Sequence, residues 1–176
     1  ESQDQAKSFG LFEARDAQAA VKWIKTTMPG AKVGVIGVSL GGAAALLPEG
    51  GPLPVDAMIL KAVYPDIDRA IRNRIEVHGG SFLASSLTPL LTYQSPIRYG
   101  AWPKDISPVS TASRYGGPVL VIGGENDIYT PVDESEELSE AFGGKHWLWV
   151  VAQLGHDQIS DLDDETYRQR VLTFFD

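Results

Sequence analysis

An α/β fold, a mostly parallel sheet with helices on both faces, is what this sequence predicts, and three observations carry the prediction. Apolar runs short enough for buried strands stand at 32–38, 57–63, 118–123 and 145–151. Stretches with apolar residues at helical spacing flank and separate them, and a strand, helix, strand succession within one sheet implies parallel pairing. The first run also turns within a few residues into a small-residue helix, Leu40-Gly41-Gly42-Ala43-Ala44-Ala45-Leu46-Leu47, through the pattern G-x-S-x-G from Gly37 to Gly41.

Each element has a local cause. From Glu13 to Met28, Ala17, Ala20, Val21, Ile24 and Met28 recur at helical spacing, with Glu13 and Asp16 early and Lys22 and Lys25 late, as the helix dipole favours. Pro29-Gly30 stops that helix, the strand 32–38 follows, and the loop 48–54 leads to the strand 57–63. Asp66 reads as the N-cap of a helix with Ile67, Ile71 and Ile75 on its buried stripe. The stretch 78–117, rich in Gly, Ser and Pro with Tyr93, Tyr99 and Trp102 interspersed, reads as an irregular excursion over the sheet, a lid or pocket wall. After the strand 118–123, Thr130-Pro131-Val132-Asp133 opens a helix with Thr130 as the capping hydroxyl. The last helix starts near Asp163 and is expected to bury Tyr167, Val171, Phe174 and Phe175, which fall at helical spacing.

The length of 176 residues suits one domain, residues 1–176, and 43% hydrophobic composition is ample for a core. A formal charge of −8 argues against nucleic acid or an anionic membrane as partner and favours a small-molecule substrate. With no cysteine there is no disulfide framework, thiol nucleophile or thiolate metal site, and the compartment stays open. The histidines and acids lack metal-ligand spacing and no phosphate-cradling loop is present, so neither metal nor cofactor is expected.

A serine in a tight strand-to-helix turn needs glycine on both flanks, because a β-carbon there collides with the adjoining elements. Gly37 and Gly41 meet that need, and Ser39 becomes a candidate nucleophile at the carboxyl end of the sheet. Its hydroxyl requires a base, and the base an anion to orient it. In an open parallel sheet such groups lie in the loops after the strands. The loop after 118–123 holds Glu125 and Asp127, with Asp127 preferred, and the loop after 145–151 holds His156. His146 precedes its strand and belongs at the opposite edge, and His78, in His78-Gly79-Gly80-Ser81, reads as a loop residue despite its likeness to a lipase oxyanion fragment.

The chain order Ser39, Asp127, His156, together with Gly37-Val38-Ser39-Leu40-Gly41-Gly42, the 118–127 strand and acid loop, and Gly155-His156, resembles the alpha/beta-hydrolase superfamily, of the esterase and serine-aminopeptidase-like type. The resemblance implies Ser39 as nucleophile, His156 as general base, Asp127 as its orienting acid and the Leu40 backbone N–H as an oxyanion donor. It further implies a cofactor-free serine hydrolase acting on an ester, with peptidase and thioesterase chemistry, or a non-catalytic hydrolase-fold fragment, as alternatives. Members usually carry several strands before the helix that leads to the elbow. Glu1-Ser2 resembles the tail of the loop before that helix, so the chain looks like the C-terminal part of such a protein. The far side of strand 32–38 then lacks a neighbour, and either the N-terminal part of the same protein or a second copy is expected to cover it.

Overall fold

The computed structural model describes residues 7–176, and the resemblance at Glu1-Ser2 lies outside them. In chain order the elements begin with α1 Glu13–Thr27, β1 Gly34–Val38, α2 Leu40–Leu46, β2 Ala57–Lys61 and α3 Ile67–Thr92. The short helices α4 Ser95–Tyr99 and α5 Pro108–Ala112 follow, then β3 Val119–Gly124, α6 Val132–Glu140, β4 His146–Val151, α7 His156–Ser160 and α8 Glu165–Phe175. The strands pair in the order β1-β2-β3-β4, every pair parallel. In register, Ile36 lies opposite Ile59, Ile59 opposite Leu120, and Leu120 opposite Trp147.

Alternation along the strands divides the core into two layers. Met58, Leu60, Val119 and Val121 face α1, α2, α5 and α6 through Val21, Leu46, Ala112 and Leu138, whereas Ile59, Leu120 and Ile122 face α7 and α8 through Ile159 and Tyr167. The sheet is therefore helix-covered on both faces, and β2 and β3 are buried along their whole length. The outer strands differ: β1 leaves Ile36 exposed, and β4 leaves Trp147 exposed. As expected, β1 has a neighbour on one side only among the described residues.

Several expectations need correction. The strand read at 57–63 ends at Lys61, because Ala62 takes a left-handed φ of 50° and turns the chain. Of the stripe proposed for the first helix only Val21 is buried, joined by Ala14, and Ala20 and Met28 face outward. On α8, Tyr167 is buried, whereas Val171, Phe174 and Phe175 pack half-buried against the same layer. Thr130 does not cap α6: the N-cap is Pro131, and the Thr130 hydroxyl instead donates to the Ala62 carbonyl at 3.4 Å.

The largest difference lies in 78–117, which is mostly helical. The Asp66 carboxylate accepts the Arg69 N–H at 2.8 Å, as an N-cap should, but the helix continues past Ile75 to Thr92 with one break at Gly80, where φ is 79° and ψ 170°. His78 is thus a helical residue and not a loop one. A short 3-10 turn at Pro103–Asp105 and the helices α4 and α5 carry the chain on to β3.

Candidate active site

The carboxyl ends of four parallel strands face one edge of the sheet, and the predicted residues gather there. Ser39 directly follows β1 with φ 46° and ψ −112°, a conformation costing a side-chain-bearing residue on the order of 1–3 kcal/mol. Its neighbours hold it there. The Ser39 N–H donates to the Lys61 carbonyl at 2.8 Å, and the Ser39 carbonyl accepts from the N–H groups of Gly42 and Ala43, both at 3.1 Å. The Leu40 N–H stays outside that ladder, at the start of α2.

The glycines divide the work differently from the sequence expectation. A β-carbon on Gly37 would stand 2.5 Å from the Gly42 α-carbon, and one on Gly42 would run into the Val63 side chain. Gly41 faces open space. The close approach of strand and helix therefore depends on Gly37 and Gly42, and Gly41 is not sterically required.

Asp127 and His156 come from the loops after β3 and β4, and the structure brings them together. His156 Nδ1 lies 2.8 Å from Asp127 Oδ2. A carboxylate can only accept, so Nδ1 carries the proton and Nε2 keeps the free lone pair. The Asp127 side chain is fully buried and its second oxygen, Oδ1, accepts the N–H groups of Tyr129 at 2.9 Å and Thr130 at 2.8 Å. That Asx turn orients the carboxylate, leaving Oδ2 for the histidine. Glu125, the other candidate acid, is turned away and accepts the exposed Gln153 N–H at 2.9 Å.

Three parallel spacings separate β1 from β4, roughly 14 Å, and His156, which follows β4, meets the acid loop that follows β3. No hydrogen bond joins the Ser39 hydroxyl to the His156 ring among the described residues, so two of the three predicted partners are joined and the third stands unbonded. His146 sits at the start of β4, at the far edge, with Nδ1 2.9 Å from the Gly144 carbonyl.

Three residues that sequence reasoning missed hold these groups in place. Tyr129 sets its ring edge-on to His156 at 5.6 Å, and the His78 ring lies 6.4 Å away on the other side. Asn73 from α3 donates to the Tyr129 carbonyl at 3.1 Å and to Glu134 Oε1 at 2.8 Å. Lys61 serves two parts of the edge at once. Its carbonyl receives Ser39, while its buried ammonium donates to the carbonyls of Ser160 at 3.1 Å and Leu162 at 3.2 Å, at the far end of the helix that begins with His156. The ammonium also lies 4.5 Å from the Tyr167 ring centre, and burial lowers its pKa. Nothing in an apolar strand marks Lys61 as a tie between loops.

Among the described residues no cluster of three His, Asp or Glu side chains could hold a metal ion, and no helix is long and apolar enough to cross a membrane.

Comparison with known proteins places this geometry. A family model described as TAP-like protein, an alpha/beta-hydrolase model, matches residues 96–176. The uncharacterized protein YqkD of Bacillus subtilis (strain 168) is 29% identical over 174 residues, covering 96% of this chain and 56% of that protein. An esterase of Pyrococcus furiosus superposes with a TM-score of 0.71 at 22% identity, over 99% of this chain and 65% of that one. The acylaminoacyl peptidase of Pyrococcus horikoshii gives 0.64 at 18% identity, over 96% of this chain and 27% of that one. The chain thus spans little more than half the length of the curated relative it matches. A four-stranded parallel sheet with a serine turn after its first strand, superposing on these enzymes over nearly its whole length, is the core of one fold, and the chain has the alpha/beta-hydrolase fold.

Proposed function

We propose that this chain carries the catalytic groups of a serine hydrolase that cleaves carboxylic esters through an acyl-enzyme. The observation that carries the reading is the buried Asp127 carboxylate, 2.8 Å from the half-buried His156 ring, at the sheet edge that also holds Ser39 in its left-handed turn. In this reading the Ser39 hydroxyl attacks the ester carbonyl and its proton passes to His156 Nε2. Asp127 keeps the imidazole in the tautomer that can accept it and stabilises the imidazolium. The Leu40 N–H faces the oxyanion. The imidazolium then protonates the departing alcohol, and a water molecule activated by the same Nε2 releases the acid and regenerates Ser39. The esterase likeness of the Pyrococcus furiosus neighbour supports an ester as substrate, while the peptidase neighbour uses the same fold.

A non-catalytic hydrolase-fold domain is the second reading, favoured by the missing hydrogen bond between Ser39 and His156. Labelling with a fluorophosphonate separates the two, because phosphonylation requires an activated serine. Ser39 is expected to label, and hydrolysis of a short-chain aryl ester is expected to fall at least about 10⁴-fold in Ser39→Ala and in His156→Ala. His146→Ala should retain activity, since that ring lies at the opposite edge. Near-normal turnover by Ser39→Ala, or an unlabelled Ser39 in folded protein, refutes the reading.

A further inference from the structure

The second half of α3, beyond the break at Gly80, turns its polar side inward and its apolar side outward. At about 100° per residue, Phe82, Leu83, Leu87, Leu90, Leu91 and Tyr93 fall on one half of the helix surface, and all are exposed. The opposite sector, Ala84, Thr88 and Thr92, is buried, and the hydroxyls of Thr88 and Thr92 have no hydrogen-bond partner among the described residues. An ordinary surface helix does the reverse. The outward face continues into α4, where Ile97 is 89% exposed; Phe82, at the other end, is 82% exposed.

With whole-residue areas of roughly 200–250 Å², these exposures leave about 900 Å² of apolar-residue surface facing solvent, beyond the largest apolar patch of an ordinary monomer. About 800 Å² from each partner is what a stable pair of proteins buries. Side chains as exposed as Phe82 and Ile97 are not the walls of a pocket, so the surface suits a macromolecule better than an acyl chain.

Charge selects the partner. The chain carries −8 overall, yet no Asp, Glu, Lys, Arg or His occurs from Gly79 to Ile97. A helix that lies on a lipid surface is rich in Lys and Arg on its polar flank, and this one has neither. A two-fold pairing of identical acidic chains, by contrast, needs an uncharged contact surface, since like charges face each other across the axis. Ser85 and Ser86, near the middle of the segment, allow two such helices to approach closely. We propose that the 82–97 face binds a second copy of this chain, helix against antiparallel helix, forming a dimer distinct from any contact at the edge of β1.

Sedimentation velocity on the 176-residue chain, over concentrations up to the order of 100 µM, tests this. The wild type is expected to sediment as a dimer at the upper end. Leu90→Glu combined with Ile97→Glu, both at exposed positions the fold does not need, should weaken association by more than about a hundredfold while the circular dichroism spectrum is unchanged. Because the chain has no cysteine, Ser86→Cys supplies a single thiol near the proposed axis, and oxidation should link it into a covalent dimer, whereas a thiol at Lys22→Cys on α1 should not link. A wild type that stays monomeric over the whole range, or a dimer that survives both glutamates, overturns the proposal. So does a monomer that co-sediments with phosphatidylcholine vesicles through Leu90 and Ile97, which would make lipid the occupant.

Discussion

Glu134 gives the most direct test of how the site's supporting layer is built. It lies at the start of α6, buried, with Oε1 accepting from Asn73 at 2.8 Å and Oε2 without a hydrogen-bond partner among the described residues. Burial pushes its pKa from 4.5 up to about 7, against the lowering effects of the Asn73 bond and the Arg69 charge. At roughly 1.4 kcal/mol per pH unit that rise corresponds to about 3 kcal/mol. The folded state therefore holds a proton that the unfolded state has already released between pH 4.5 and about 7, so stability falls as pH rises through that window and levels off above it. Glu134→Gln keeps an oxygen for Asn73 and removes the titration. Urea unfolding at pH 5 and pH 8 should show the variant gaining about 2–3 kcal/mol relative to wild type across the interval, a shift of about 1 M in the relative midpoint. A difference that stays flat with pH, or that narrows toward pH 8, refutes the account of a desolvated carboxyl beneath the acid loop.

Three further outcomes follow from the same geometry. Gly42→Ala, whose new methyl meets Val63, should cost about 1–3 kcal/mol in urea unfolding, whereas Gly41→Ala, open to solvent and helical, should be neutral or stabilising by up to about 1 kcal/mol; the reverse order would contradict the elbow packing. Lys61→Met leaves the Ser160 and Leu162 carbonyls without their donor, so amide exchange in α7 should quicken and stability should fall by about 1–2 kcal/mol, and unchanged α7 protection would show that Lys61 does not anchor that helix. For the open side of β1 we propose a covering strand, from the N-terminal part of the same protein or from a second copy. Hydrogen exchange should then find the outward amides of residues 34–38 protected, also with Leu90→Glu and Ile97→Glu in place, and exchange at the free-amide rate would count against any covering strand.

The sheet was legible because parallel strands buried on both faces must be apolar throughout, and 57–61 and 119–124 obey that rule without interruption. The candidate site was legible because its chemistry is tied to strand ends. Ser39 had to follow a strand and precede a helix, and an acid and a histidine had to follow later strands. Sequence could place Asp127 and His156 at one edge but could not show which oxygen meets which nitrogen, because that depends on the Asx turn that orients the carboxylate. The supporting residues were hidden for a different reason. Asn73, Tyr129 and Lys61 act across α3, the acid loop and α7, and no spacing within one segment records a contact between segments.

The stretch 78–117 reads as irregular in sequence for a physical reason that bears on its role. Gly79-Gly80, a run of Ser and Thr, and Pro89 are turn signals, and apolar periodicity predicts burial of the side that carries Phe82, Leu87 and Leu90. The fold buries Ala84, Thr88 and Thr92 instead. A helix that hides hydroxyls and presents leucines is unstable by its own chain's accounting, since the Thr88 and Thr92 oxygens lose water without gaining partners and the apolar face gains nothing. The proposed dimer removes the apolar face from water and so offsets the second loss. The disagreement between pattern and burial thus supports the dimer proposed above, and α6 differs in its apolar side, where Leu138 is buried.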